Sequence, residues 1–184
     1  MEDVVAELGL PLIIKPVHEG SSIGMSKVEK VEDFANAVAK ATAHDDIVMA
    51  EKWITGREFT IVLLNGQALP IIRLEPPKDV AFYDYEAKYQ RNDVQYGIPC
   101  GLSAAEEQQL QALALRAFQA VGASGWGRID AMQDEKGNFW LLEVNTVPGM
   151  TSHSLVPKAA NAVGYSFDEL CVAILAQTLT GEAP

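Results

Sequence analysis

The sequence predicts an α+β fold built on antiparallel sheet, and three observations carry that prediction. Short runs of apolar and β-branched residues recur at strand length, as in Leu12–Lys15, Phe59–Leu64 and Phe139–Val144. Two pairs of these runs are joined by turn chemistry, Asn65-Gly66 in one case and Glu135-Lys136-Gly137-Asn138 in the other, which makes hairpins. Between them lies a long segment of helical period headed by a capping signature, Ser103-x-x-Glu106.

Taken in order, Glu2–Leu8 reads as a short helix, and Gly9 and Pro11 then open a strand, Leu12-Ile13-Ile14-Lys15, stopped by Pro16. The next loop, His18-Glu19-Gly20-Ser21-Ser22-Ile23-Gly24, is rich in glycine and small polar residues. A strand pattern resumes at Met25–Val28. Val31, Phe34, Ala35, Val38 and Ala39 fall at helical spacing, and Ile47–Glu51 reads as a strand. After a polar kink at Lys52–Gly56, Phe59–Leu64 and Ala68–Leu74 flank the Asn65-Gly66 turn as a hairpin.

From Glu75 to Gly101 the periodicity dissolves into Pro, Asp, Tyr, Lys and Gln. A loop of about 25 residues exceeds the roughly 12 to 15 beyond which loops are usually functional or disordered. Its aromatics speak against simple disorder. Helical spacing returns over Leu110, Leu113, Ala114, Ala117, Phe118 and Val121 and stops at Gly122, and Trp126–Met132 and Phe139–Val144 form the second hairpin. Ser166-Phe167-Asp168-Glu169 caps a final helix. No repeat or low-complexity tract interrupts the pattern.

A chain of 184 residues that is 48% hydrophobic has enough apolar surface to bury a core. No run nears the roughly 20 apolar residues of a membrane helix, and Met1-Glu2-Asp3 is unlike a signal peptide, so a cytoplasmic protein without a membrane partner is expected. The net charge of −11 argues against a nucleic-acid partner, because the long-range field repels polyphosphate. Cys100 and Cys171 lack paired spacing, so neither a disulfide framework nor a zinc site is indicated.

The second hairpin holds the most chemistry. Side chains alternate along a strand, so Arg128 and Asp130 share one face, as do Glu143 and Asn145 on the next strand. If Asp134 pairs with Phe139 across a four-residue turn, Asp130 lies opposite Glu143 and Arg128 opposite Asn145. Opposed residues have Cβ atoms about 5 Å apart, and like charges so placed destabilise a sheet unless a cation sits between them. A divalent metal would resolve the conflict, and two carboxylates with an amide oxygen suit a hard cation such as Mg²⁺ better than zinc. The plainer alternative is that Arg128 neutralises both acids on a solvated face. Both readings stand on these residues alone.

The strand runs on into Thr146-Val147-Pro148-Gly149-Met150-Thr151-Ser152-His153-Ser154, where backbone N–H groups around Gly149 and at a following helix start could hold a carboxylate or oxyanion. Helix capping is the alternative use of Ser152 and Ser154, and a structural hydrogen bond that of His153.

Lys15 with Glu19-Gly20-Ser21-Ser22, Glu51-Lys52-Trp53, Phe82–Tyr89, Gly125–Asp130 and Glu143-Val144-Asn145-Thr146-Val147-Pro148-Gly149-Met150 together resemble the ATP-grasp superfamily, and within it the D-alanine:D-alanine ligases, from about Leu8 to the C-terminus. The resemblance implies two α+β lobes with ATP between them, residues 1–57 belonging to an incomplete first lobe and 58–184 to the second, with 75–101 an active-site lid. It implies that Lys15 and Lys88 contact the nucleotide, that Glu51, Lys52, Trp53 and Ile54 border the adenine, and that Glu58 takes the ribose hydroxyls. Asp130, Glu143 and Asn145 would bind Mg²⁺ or Mn²⁺, two ions per site. Arg128 and the Gly149 N–H would stabilise the tetrahedral oxyanion, and Ser154 with the Leu155 backbone would hold the second substrate's carboxylate.

In that family Tyr89 hydrogen-bonds Ser21, and relatives that prefer D-lactate differ at the Tyr89 position. The implied reaction is ATP-dependent joining of two D-alanines through an acyl phosphate, supplying peptidoglycan precursors. A non-catalytic Mg·ATP-binding module, or another ATP-grasp ligase such as a D-alanine:D-lactate ligase, is the alternative. Full-length members carry a further N-terminal domain and form homodimers. The chain is therefore expected to correspond to the C-terminal portion and not to ligate by itself.

Overall fold

The apolar run Leu12–Pro16 forms β1, the middle of a three-stranded antiparallel sheet in the order β2-β1-β3, with β2 at Ser26–Val28 and β3 at Val48–Lys52. Leu12 faces Val28 on one side and Lys52 on the other, and Ile14 faces Ala50. In this computed structural model, which describes residues 2–75, 95–152 and 154–179, the segment through Ile54 is one unit and Thr55–Glu75 with Gln95 onward is another.

In the first unit, helices α1 (Glu2–Leu8) and α2 (Phe34–Thr42) cover one side of the sheet. Leu12, Ile14, Val28, Ala37 and Ala41 form the core there, with Val4, Leu8, Phe34, Val38, Val48 and Ala50 packed against it. The helical spacing that begins at Val31 opens as a 3₁₀ turn, Val31–Asp33, before α2. Alternation along the strands sends Ile13, Lys15, Lys27, Met49 and Glu51 to the opposite side.

The second unit is an antiparallel sheet in the order β7-β6-β4-β8-β9, with β5 paired to β4. Its strands are β4 (Gly56–Leu64), β5 (Gln67–Ala68), β6 (Ile72–Glu75), β7 (Gln95–Gly97), β8 (Trp126–Asp134) and β9 (Phe139–Asn145). Asn65 and Gly66 both have positive φ, 51° and 73°, the requirement of the two-residue turn that their dipeptide predicts. The expected strand over 68–74 is split, because Pro70 has no N–H for the ladder; β5 ends at Ala68 and β6 begins at Ile72. The expected loop over 75–101 is also shorter in its described part, since β6 extends through Glu75 and Gln95–Gly97 pairs with it as β7.

Helix α3 (Ala104–Ala120) starts on the anticipated capping box, Ser103 and Glu106 each bonding the other's backbone N–H. It packs Leu110, Ala114 and Phe118 onto Phe59, Ile61, Leu63, Ile129 and Ala131. The contact is close enough that a Cβ on Gly127 would lie 2.5 Å from Phe118 Cε2 and 3.0 Å from the Asn145 carbonyl oxygen. Helix α4 (Leu155–Asn161) buries Leu155, Val156, Ala159 and Ala160, lying against β4 and against α5 (Phe167–Leu179). Ser166 and Glu169 bond reciprocally at the start of α5. Among the described residues no helix is long and apolar enough to cross a membrane.

Candidate functional site

The face of the second sheet turned away from α3 carries Thr60, Arg128, Asp130, Glu143 and Asn145 beside the buried Val62, Ile72 and Leu74. The β4–β8 register places Thr60 opposite Asp130, Glu58 opposite Met132 and Val62 opposite Arg128, while β8–β9 places Asp130 opposite Glu143 and Arg128 opposite Asn145. The two carboxylates therefore face each other as the sequence predicts, but by a different route. Gln133, not Asp134, pairs with Phe139, and a bulge between Asp130 and Ala131 leaves Leu142 without a partner. The longer turn and the bulge each shift the register by one residue and cancel.

Asp134 builds that turn. Its Oδ1 accepts from the backbone N–H of Lys136 at 2.9 Å and of Asn138 at 2.8 Å, and its Oδ2 accepts from Trp140 Nε1 at 3.0 Å. Those donors, Trp140 first, hold its carboxyl down at about 2.

Arg128 grips Asp130 with two nitrogens, Nε at 3.0 Å from Oδ1 and Nη2 at 2.7 Å from Oδ2, and the same Nη2 stands 3.7 Å from Glu143 Oε1. The guanidinium thus stands within ion-pair distance of both carboxylates. Asn145 Nδ2 donates to Glu143 Oε1 at 2.8 Å and reaches Asp130 Oδ2 at 3.4 Å. Asp130 is nearly buried, whereas the Glu143 side chain is 54% exposed and keeps an open oxygen edge.

Thr60, fully buried, donates its hydroxyl to Asp130 Oδ1 at 2.6 Å. Reading the sequence alone misses it. The available signal was a hydroxyl within the apolar run of β4, but its relation to Asp130 depends on a pairing between strands about 70 residues apart, which no local pattern encodes.

Past β9, Ser154 sits at the N-cap position of α4, yet its hydroxyl does not cap the helix. It accepts from the Thr151 N–H at 3.0 Å and pairs with Thr151 Oγ1 at 2.9 Å. Gly149 is drawn against it, since a Cβ there would fall 3.3 Å from Ser154 Oγ. Leu155 begins the helix with its side chain buried.

On the first unit Lys15 and Glu51 form an ion pair across β1 and β3. Lys27 extends the same side, 4.9 Å from the Trp53 ring centroid. Lys52 alternates to the side of Leu12, its cross-strand partner, and is exposed. Trp53 and Ile54 follow the strand half-buried, Trp53 N–H donating to Pro11 O at 3.2 Å. Ser21 lies in the glycine-rich loop with φ 53°. Lys88, Tyr89 and His153 lie outside the described residues.

Among the described residues no group of three or more His, Cys, Asp or Glu side chains converges as a metal site would. The donor set at the hairpin is two carboxylates and an amide.

Residues 1–176 match the sequence pattern of the family described as D-ala D-ala ligase C-terminus. The chain is 83% identical over 183 residues to the D-alanine--D-alanine ligase of Acinetobacter baumannii strain ATCC 17978 and 79% identical to that of Acinetobacter baylyi, in each case covering 100% of this chain and 59% of the relative. It thus spans well under two thirds of the curated relatives it matches.

Among solved structures, the D-alanine--D-alanine ligase of Bacillus anthracis superposes with a TM-score of 0.84 at 32% identity, covering 98% of this chain and 58% of that one. The VanG D-Ala:D-Ser ligase of Enterococcus faecalis superposes with a TM-score of 0.83 at 32% identity, covering 96% and 52%. The Bacillus anthracis ligase complexed with ATP gives 0.81 at 27% identity, covering 96% and 55%. The hairpin of opposed carboxylates, the antiparallel sheets and these matches agree: the chain belongs to the D-alanine–D-alanine ligase C-terminal family, with the ATP-grasp fold.

Proposed function

We propose that the protein serves the ATP-dependent joining of two D-alanines, its described residues supplying nucleotide-, cation- and substrate-binding groups. The observation that carries this reading is the face of β8 and β9, where Arg128, Asp130, Glu143 and Asn145 converge on a chain 83% identical to proteins named for that reaction. The 83% and 79% identities are to relatives named D-alanine--D-alanine ligase, which supports D-alanine as second substrate.

The donor set fits a hard cation, because Asp130, Glu143 and Asn145 offer oxygens without imidazole or thiolate, and Thr60 fixes one Asp130 oxygen from behind. Rotating the Asn145 amide turns its oxygen toward the carboxylates. Mg²⁺ or Mn²⁺ bound there would neutralise phosphate charge. The chain's own residues do the rest. Lys15, held by Glu51, offers a point charge to the nucleotide, and the Trp53–Ile54 segment offers apolar surface to its base. Glu58, half-buried on β4, takes the ribose hydroxyls in this reading, its carboxylate being an acceptor.

In the proposed sequence the first D-alanine carboxylate takes the γ-phosphoryl group, releasing ADP, and the second amine displaces phosphate from the acyl phosphate. Arg128 and the Gly149 N–H bind the oxyanion of that displacement, and the Ser154 hydroxyl with the Leu155 N–H binds the second carboxylate.

A chimera in which this chain replaces the matching part of the Acinetobacter baumannii relative tests the reading. It is expected to form D-alanyl-D-alanine with stoichiometric ADP, and Asp130→Asn within it is expected to abolish the dipeptide. A folded chimera that makes none, beside an active parent, refutes the assignment.

A further inference from the structure

Helix α5 is apolar along most of its length, yet it buries a single side chain, Leu170. Ala173, Ile174 and Gln177 are half-buried on the same side. At about 100° per residue, Val172, Leu175 and Leu179 fall on the opposite side, and they are 66%, 61% and 82% exposed. A groove bordered by Leu69, Pro70, Val163, Tyr165, Ala173 and Ala176 runs along one flank of this row.

A surface helix ordinarily turns its polar side to water. Here the outward row holds one charged group, Asp168, a turn before Val172, and α5 has no lysine or arginine at all. Apolar residues spaced three and four apart make the seam along which one helix packs on another. Single exposed apolar residues are ordinary, but a continuous row beside a groove marks a surface that another polypeptide covers.

A second copy of the chain is a poor occupant. It would bring another net charge of −11, and its own row offers no base to the Asp168 carboxylate. The relatives carry a better one. The chain covers 59% of the Acinetobacter baumannii ligase and matches the family's C-terminal part, so about two fifths of that relative precede the matched stretch.

We infer that the outer row of α5 is the seat of the N-terminal portion that these relatives carry, which meets Val172, Leu175 and Leu179 with the apolar side of a helix. The contact also braces α4, which packs on both α5 and β4 and opens at Ser154. None of this depends on the reaction proposed above.

Hydroxyl-radical footprinting of the chain alone and of the chimera described above compares α5 in the two settings. Labelling of Val172, Leu175 and Leu179 is expected to fall about fivefold or more in the chimera, as burial at the centre of an interface requires, while Leu170 stays protected in both. Leu175→Lys is expected to leave the melting temperature of the chain alone unchanged and to lower that of the chimera by several degrees. A Leu175→Lys chimera that fails to fold, beside a substituted chain that does fold, counts as the same loss. Equal labelling in chain and chimera would overturn the inference, as would equal effects of Leu175→Lys on both. Sedimentation of the native chain over a range of concentrations is expected to show a monomer; a dimer that Leu175→Lys abolishes would assign the row to a second copy and overturn the inference as well.

Discussion

Asp130 is held from two sides, by the Arg128 guanidinium and by the Thr60 hydroxyl, and the second contact lies wholly inside the protein. Replacing Thr60 with valine keeps the shape of the side chain and removes the buried hydroxyl donor, leaving Asp130 Oδ1 with Arg128 Nε alone, at a cost of about 1 to 3 kcal/mol. The expected result is a lower urea midpoint with an unchanged slope, which marks lost stability and not an altered unfolded state. An unchanged midpoint would mean that Arg128 alone satisfies Asp130. The contrast between these two partners shows what a sequence discloses. Arg128 stands two residues from Asp130, so strand alternation places both on one face without knowledge of the fold. Thr60 becomes visible only when β4 is known to lie beside β8.

At the scale of elements, the capping box of α3 and the turn dipeptide before β5 were legible because each is a local bargain between a side chain and its nearest backbone. The β8–β9 hairpin was legible in outcome but not in detail. Trp140, Leu141 and Leu142 are about equally exposed, at 42%, 40% and 42%, so no alternation marks the bulge at Leu142. What sets the longer turn is Asp134, whose oxygens collect the Lys136, Asn138 and Trp140 donors.

That role makes a pH prediction for the hairpin. The Asp134 carboxyl titrates at about 2 in the folded protein against an ordinary value near 4, so the folded state binds fewer protons between those limits. Its stabilising contribution is complete above pH ~4 and is lost as pH falls through ~2. The melting temperature of the native protein should therefore drop more steeply over this interval than that of Asp134→Ala. Parallel profiles would show that the turn's bonds do not depend on the charge.

For the whole molecule, each unit has a core of its own. One is built on Leu12, Ile14 and Val28, and the other on Phe59, Ile61, Leu110 and Ile129. On the side away from these cores stand charged groups, Lys15 and Glu51 on the first sheet and Arg128, Asp130 and Glu143 on the second. The strand and helix periods made these cores legible, but not the side of a sheet that a helix would cover, which depends on tertiary packing. The net charge of −11 makes anion binding unfavourable except where lysine or arginine is fixed locally, as Lys15 is by Glu51 and Arg128 by Asp130.

A cation on Asp130 and Glu143 would change that balance at the hairpin, and nucleotide binding would then depend on it. Equilibrium titration of ATP into the protein, with Mg²⁺ and with chelator, and into Asp130→Asn, tests the dependence directly. Saturable binding with Mg²⁺ is expected, weakening roughly tenfold or more on chelation and in the variant, while circular dichroism shows both proteins folded. Absence of binding, or an affinity indifferent to Mg²⁺ and to Asp130→Asn, would contradict it.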